Sequence, residues 1–142
     1  MISTIAVGTD GSGTATEAVA VAADLARRLD AKLVLLSASQ SSGKAPVDHS
    51  GASVELQWAV STAAQVQEIL ARTEADLQAK AIDCSTLVDE GDPADVLVRL
   101  AAECGADLLV IGNKGMHRRV LGSVPNKVTH KAHCSVLVVR TT

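Results

Sequence analysis

Short apolar runs alternate along the chain with stretches whose apolar residues recur every three or four positions. The runs are rich in Val, Leu, Ile and Ala, which predicts strands. Residues 32–38 are apolar nearly throughout, which indicates a strand buried on both faces. The predicted strands are residues 2–7, 32–38, 82–88, 107–111 and 135–140.

The stretches between these strands carry apolar stripes at helical spacing. The third predicted helix starts with Asp92 and Pro93, a capping acid followed by proline at the first position, and Gly105 closes it. Residues 39–53 hold Ser, Gly, Pro and Asp without periodicity, which predicts a loop. The other predicted helices are residues 14–29, 54–79 and 123–132.

Strands and helices therefore alternate throughout, which predicts an α/β fold with a five-stranded parallel sheet. Helices on both faces would make it a Rossmann-like three-layer sandwich. A chain of 142 residues is expected to form one domain, 1–142. Ligands of such sheets bind beyond the carboxyl ends of the strands, where the strand order switches. This rule brings together Thr9 and Asp10, after the first strand, and the segment after the fourth.

That segment is rich in glycine and in fixed positive charge. Residues 112–123 read Gly-Asn-Lys-Gly-Met-His-Arg-Arg-Val-Leu-Gly-Ser. Glycines let backbone N–H groups approach phosphate oxygens, and the N-terminus of the following helix adds roughly +0.5 of an elementary charge. The sequence predicts a phosphate cradle here, and the cations Lys114, Arg118 and Arg119 are placed to neutralise the ligand.

The charges are strongly divided along the chain. From residue 112 onward there are six Lys or Arg and no Asp or Glu, whereas residues 1–111 hold seven basic and sixteen acidic residues. A cationic segment on an acidic protein indicates a defined anionic ligand. The chain has no Phe or Tyr and one Trp, so it lacks the stacking platforms of single-strand binders. Nucleic-acid binding is not expected.

Three observations bear on location. No apolar run approaches the roughly 18–20 residues of a membrane span, so no membrane association is expected. The first residues lack the basic and apolar regions of a signal peptide. Cys84, Cys104 and Cys134 are odd in number and widely spaced, which favours reduced thiols. Together these predict a cytoplasmic protein.

Several competing sites each lack a required residue. The glycines of residues 8–13 do not follow Gly-x-Gly-x-x-Gly, and no Gly-x4-Gly-Lys-Ser/Thr occurs, which disfavours a dinucleotide dehydrogenase or a P-loop NTPase. His130, His133 and Cys134 lack a fourth ligand at suitable spacing, so no metal site is expected.

Two enzyme-like alternatives are also disfavoured. Asp10 and Asp89 imitate the acids of a two-component receiver domain, but Arg140 stands where that site needs Lys. No Ser–His–Asp elbow, Cys–His pair or carboxylate pair stands out. Residues 112–142 contain no acid, so Asp10 is the one evident acid near the cradle for phosphoryl transfer. We expect a binding protein with at most slow hydrolysis of a phosphate-bearing ligand.

Five segments, spread over nearly the whole chain, resemble those of a known protein family. They are Val-Gly-Thr-Asp-Gly-Ser at 7–12, Asp-Pro at 92–93, Ala-Asp-Leu-Leu-Val-Ile-Gly at 106–112, Gly-Ser-Val-Pro-Asn at 122–126 and Ser-Val-Leu-Val-Val-Arg at 135–140. With these segments the chain resembles a universal stress protein of the nucleotide-binding type. The resemblance implies a sheet ordered 3-2-1-4-5. It also implies a homodimer built partly by pairing of the strand at 135–140, for which a short apolar edge strand is suited.

The resemblance further implies a site for an adenine nucleotide. Asp10 would face the adenine or ribose, backbone around Ala38 would contact the base, and the glycine-rich segment would wrap the phosphates. The predicted nucleotide-binding residues are Gly8, Thr9, Asp10, Ala38, Ile111, Gly112, Lys114, Gly115, Arg118, Arg119, Gly122, Ser123, Val124 and Pro125.

The glycine spacing departs from the family signature. Relatives that hold ATP carry Gly-x2-Gly-x9-Gly-Ser/Thr, whereas this chain has Gly112-x2-Gly115-x6-Gly122-Ser123, three residues fewer. The resemblance implies ATP first, alone or with Mg²⁺, in a stress-response regulator or sensor. The shorter segment favours a smaller phosphate group, as in AMP or cyclic AMP. A dimeric interaction module with a vestigial pocket is the rival interpretation.

Overall fold

The structure, a computed structural model, describes residues 1–40, 62–113 and 121–140. Strands and helices alternate along these ranges. They are β1 (Thr4–Gly8), α1 (Gly13–Leu29), β2 (Lys32–Ser39), α2 (Ala63–Ala79), β3 (Cys84–Glu90), α3 (Pro93–Glu103), β4 (Leu108–Asn113), α4 (Ser123–Lys131) and β5 (Ser135–Arg140).

The strands form one sheet in the order β3-β2-β1-β4-β5, and every neighbouring pair is parallel. This confirms the predicted α/β class and strand order. The order also rules out a receiver domain, whose third strand lies beside the first. Here β3 is an edge strand, so β2 separates Asp89 from Asp10. Asp89 instead accepts from the Arg99 guanidinium at 2.7 Å.

Two apolar cores lie on opposite faces of the sheet. Side chains alternate along each strand, so Ile5 and Val7 of β1 pack with α1 and α2, while Ala6 between them packs with α3 and α4. β1 and β4 are buried on both faces, which explains their continuous apolar sequences. The layers are therefore helix, sheet and helix.

The start of α2 differs from the prediction. Thr62 has extended backbone and is the N-cap of α2: its Oγ1 accepts from Gln65 N–H at 3.3 Å, while the Gln65 side chain accepts from Thr62 N–H at 2.9 Å. The predicted start near Val54 is wrong, because this reciprocal cap begins the helix at Ala63. Residues 54–61, like most of the predicted loop at 39–53, lie outside the described residues.

Two strands also start two residues later than predicted, β1 at Thr4 and β3 at Cys84, and β4 starts one residue later, at Leu108. Before β1, the Asp107 carboxylate accepts from the N–H groups of Ser3 at 2.8 Å and Thr4 at 3.0 Å. These side-chain bonds join the amino ends of β1 and β4. Within the described ranges, no helix has both the length and the low polarity needed to cross a bilayer.

Candidate functional site

The turn between β1 and α1 is held by hydrogen bonds to a buried residue. Thr9 donates its N–H to Leu36 O at 2.9 Å, and its carbonyl accepts from Ser37 Oγ at 2.7 Å. Next to it, Asp10 Oδ1 accepts from Ser12 N–H at 2.9 Å, and Asp10 is half-buried. Asp10 thus stabilises the turn that leads into α1. Its contact with a ligand stays a prediction.

Buried polar residues gather at one edge of the sheet. Among the described residues, the buried polar ones are Thr9, Ser37, Ser39 and Asn113. All four lie at the carboxyl ends of β1, β2 and β4, which are neighbours in the sheet. Since a core otherwise excludes polar side chains, their grouping indicates the edge at which a ligand would bind.

Three of these residues are not among the predicted site residues: Ser37, Ser39 and Asn113. Each is a polar residue at the end of an otherwise apolar strand, and that interruption is the signal that points to them. Ser37 lies inside the predicted strand at 32–38, where the apolar run around it hides its significance. Ser39 and Asn113 lie beyond the predicted strand ends, where a polar residue is typical of a loop. The structure extends β2 to Ser39 and β4 to Asn113.

Gly112 lets β4 pass directly against the start of α1. A Cβ at this position would lie 2.6 Å from Thr14 Cγ2 and 2.8 Å from the Thr14 carbonyl oxygen. Gly112 therefore has a packing reason to be glycine, independent of any ligand. The close approach places the first turn of α1 beside the end of β4, where the glycine-rich segment begins.

Asn113 joins the two ends of the glycine-rich segment. It is the last residue of β4 and fully buried, and its Oδ1 accepts from Gly122 N–H at 2.9 Å. Gly122 is the N-cap of α4. The side-chain amide therefore fixes the start of α4 beside the carboxyl end of β4.

The first turn of α4 lies at this edge. Within the described residues no side chain caps the helix, because its N-cap is Gly122. A helix leaves its first N–H groups without partners in the helix, and here these belong to Ser123 and Val124, since Pro125 has no N–H. The next donor, Asn126 N–H, bonds Gly122 O at 3.0 Å. Donors at the start of a helix suit an anion, and no described residue outside the helix accepts from these two.

Two lysines of α4 are paired with acids at the start of α3. Lys127 Nζ lies 3.3 Å from Asp92 Oδ2, and Lys131 Nζ lies 2.9 Å from Asp95 Oδ1. The hydrogen bond from Lys131 lowers the pKa of Asp95 below its usual value. These exposed pairs link α3 to α4, so neither lysine is placed as a phosphate ligand.

The predicted site residues divide into three groups. Thr9, Asp10, Gly112, Gly122 and Ser123 come together at the carboxyl edge. A second group is buried, so that only its backbone could contact a ligand: Gly8, which has no side chain, and Ala38, Ile111, Val124 and Pro125, whose side chains are in the core. The third group lies outside the described residues: Lys114, Gly115, Arg118 and Arg119.

This arrangement matches a known family. The model of the universal stress protein family matches residues 1–140. The chain belongs to the universal stress protein family. The universal stress protein Rv1636 of Mycobacterium tuberculosis is 40% identical to it over 98% of this chain and 97% of the relative. A universal stress protein of Methanocaldococcus jannaschii is 32% identical over 96% of this chain and 81% of the relative.

Solved structures of universal stress proteins share the fold. One, a universal stress protein in complex with cAMP, is 35% identical, with a TM-score of 0.69 over 99% of this chain and 98% of that one. Another, from Archaeoglobus fulgidus, is 20% identical with a TM-score of 0.74 over 97% of this chain and 93% of that one. The second comparison concerns the fold alone.

Proposed function

We propose that this universal stress protein binds an adenine nucleotide at the carboxyl edge of its sheet, with the phosphate at the N-terminus of α4. The observation that carries the proposal is the start of α4. Its N-cap is Gly122, no described side chain caps the helix, and the hydrogen bond to Asn113 holds Gly122 beside β4. Open N–H groups at a helix start favour an anion. The relative at 35% identity that was solved in complex with cAMP supports adenine as the base.

The nucleotide we propose carries a single phosphate group. The glycine signature by itself implies ATP, with or without Mg²⁺. The segment between Gly115 and Gly122, however, is three residues shorter than in that signature, which leaves less backbone to surround a triphosphate. The cAMP complex of the relative points the same way. We therefore expect cyclic AMP or AMP to bind more tightly than ATP.

The proposed role is that of a cytoplasmic regulator or sensor. Phosphoryl transfer needs an acid that holds a metal ion and a group that positions water. No acid occurs in residues 112–142, and Asp10, the nearest candidate, is engaged in the turn before α1. Binding without efficient turnover is the activity that these residues support, and the bound state would then be what a partner recognises.

Calorimetric titration with cyclic AMP, AMP, ATP and adenosine tests this proposal, together with the nucleotide content of the purified protein. We expect saturable binding of cyclic AMP or AMP, weaker binding of ATP, and no binding by Gly122→Val. A Cβ at Gly122 would already lie 3.3 Å from Asn113 Oδ1, so a branched side chain would fill the space before α4. Absence of heat with all four compounds would contradict the proposal.

A second proposed property is a homodimer through β5. Its four central residues, Val136 to Val139, are only half-buried, whereas the first four residues of the neighbouring β4 are fully buried. β5 is an edge strand of the sheet, and in the described residues nothing pairs with its outer side. A short apolar edge strand suits pairing with the same strand of a second copy. If nucleotide binding fails, a dimeric interaction module remains.

A further inference from the structure

The side chain of Asn113 has a role that the packing of β4 does not explain. Asn113 is 0% exposed and is the one amide side chain that is buried among the described residues. Burying an amide in a sheet of aliphatic residues is unfavourable unless it makes hydrogen bonds. Its Oδ1 accepts from Gly122 N–H at 2.9 Å, nine residues further along the chain.

Both partners of this hydrogen bond lie at the ends of regular elements of the fold, Asn113 at the end of β4 and Gly122 at the start of α4. The backbone of Asn113 pairs in register with Arg140 of β5. Gly122 precedes a helix whose Val124 and Val128 are packed in the core. The bond therefore sets where α4 begins relative to β4, whether or not a ligand is present. The bond is partly buried, so removing its acceptor would take from the Gly122 N–H the partner that the fold provides.

The chemistry of the amide suits a place beside an anion. An amide oxygen accepts the hydrogen bond without carrying a net charge, whereas an aspartate of the same shape would accept it with a negative charge. A negative charge next to the first N–H groups of α4 would compete with a phosphate for the positive end of the helix. The substitution Asn113→Asp therefore changes the charge at this position while it keeps the shape of the side chain.

We propose that Asn113 is a positioning residue for the bound phosphate: it orients the open first turn of α4 through Gly122 and keeps that place free of negative charge. The proposal rests on the nucleotide site proposed above. Under this proposal Asn113 increases the affinity for ligands that carry a phosphate and has little effect on the affinity for adenosine, which lacks one.

The test compares Asn113→Asp with Asn113→Ala in the full chain, by calorimetric titration of AMP, cyclic AMP and adenosine. Losing one charge-assisted contact corresponds to about a tenfold loss of affinity or more. We expect such a loss for AMP and cyclic AMP in both variants, with little change for adenosine. In Asn113→Asp the loss should grow as the pH rises through the titration of the new carboxyl, which a purely structural role would not produce.

The matched control is Asn126→Asp, which adds the same charge to the same helix at an exposed position. We expect it to change AMP affinity by much less than Asn113→Asp does. Equal losses in the two variants would mean that any charge on the first turns of α4 acts alike, and would overturn the proposal. Equal loss of adenosine and AMP in Asn113→Asp would overturn it as well.

A measurement on the unmodified protein covers the case in which the variants do not fold. Hydrogen exchange of the Gly122 amide, followed by NMR without ligand, should be slow, because Asn113 holds this N–H. Exchange at the rate of an unprotected amide would overturn the proposal. If the unmodified protein shows a protected Gly122 amide but binds no nucleotide, the proposed function fails, and the positioning of a phosphate fails with it. Binding by the protein and by both variants with equal affinity would overturn the positioning role alone.

Discussion

At the scale of single residues, the glycines of this protein differ in whether the fold requires glycine at their position. Gly112 stands where β4 touches the backbone of α1, and a Cβ there would lie 2.8 Å from the Thr14 carbonyl oxygen. Gly13, the first residue of α1, is exposed, and a Cβ there would meet no atom within 4 Å. The two residues face the same junction, yet only Gly112 is fixed by the approach of its neighbours.

This difference predicts opposite effects of alanine at the two positions. Gly112→Ala forces β4 and α1 apart, so we expect it to lower the free energy of unfolding by about 1–3 kcal/mol. Gly13→Ala adds no clash and restricts the unfolded chain, so we expect it to raise that free energy by about 0.4–1 kcal/mol. Urea denaturation of the two variants measures both values. Equal stability of Gly112→Ala and the parent protein would contradict the close approach.

At the scale of elements, hydrogen bonds from side chains fix how the strands and helices meet. The Asp107 carboxylate accepts from the backbone of Ser3 and Thr4 before β1, and these bonds lower the pKa of Asp107 below its usual value. Asn113 plays the corresponding part at the other end of β4 by accepting from Gly122. β4 is thus tied at its amino end to β1 and at its carboxyl end to α4.

The lowered pKa of Asp107 predicts how stability depends on pH. Because the folded pKa lies below the unfolded value of about 3.9, the charged carboxylate stabilises the fold at neutral pH, and this contribution is lost as the pH falls through the folded pKa. We expect Asp107→Asn to lower the free energy of unfolding near neutral pH, and the gap to the parent to narrow below about pH 4.

Urea denaturation across the acidic range measures this gap. Asp76→Asn, which removes the same charge from an exposed position on α2, is the control and should change stability little at any pH. A constant difference between Asp107→Asn and the parent at all pH values would show that the bonds to Ser3 and Thr4 do not depend on the charge.

At the scale of the whole molecule, the two edges of the sheet differ. β3 is the edge strand on one side, and it contains several polar residues, of which Ser85 is exposed. β5 is the edge strand on the other side, and it contains four consecutive apolar residues. Polar edges discourage pairing between sheets, and apolar edges promote it. The second copy in the proposed homodimer should therefore meet β5.

Sedimentation velocity tests this difference between the edges. We expect the protein to sediment at twice its chain mass of 14.6 kDa. Val138→Lys, which places a charge on the apolar edge, should sediment as a monomer with an unchanged far-UV circular dichroism spectrum. Ser85→Lys, the matched change on β3, should remain a dimer. A monomeric parent protein would contradict the proposal.

The sequence by itself determined the class of fold and the strands of the sheet. Short apolar runs such as 108–111, bounded by turn residues, are typical of strands in a buried parallel sheet, and the Asp92–Pro93 cap marks the start of α3 by local chemistry alone. The family resemblance supplied the strand order. The start of α2 did not follow from the pattern, because the apolar stripe continues toward residue 54 while the reciprocal cap of Thr62 and Gln65 begins the helix at Ala63.

Only the tertiary structure decided which residues meet at the carboxyl edge. Asn113 and Gly122 are joined across nine positions, and Gly112 meets Thr14 of a helix near the other end of the chain. Neither contact leaves a periodic signal in the sequence, because each depends on how separate elements pack. Local patterns select the elements, since backbone geometry and burial act over a few residues. Which side chain becomes a hydrogen-bond partner across the site is set by distances that exist only once the sheet has formed.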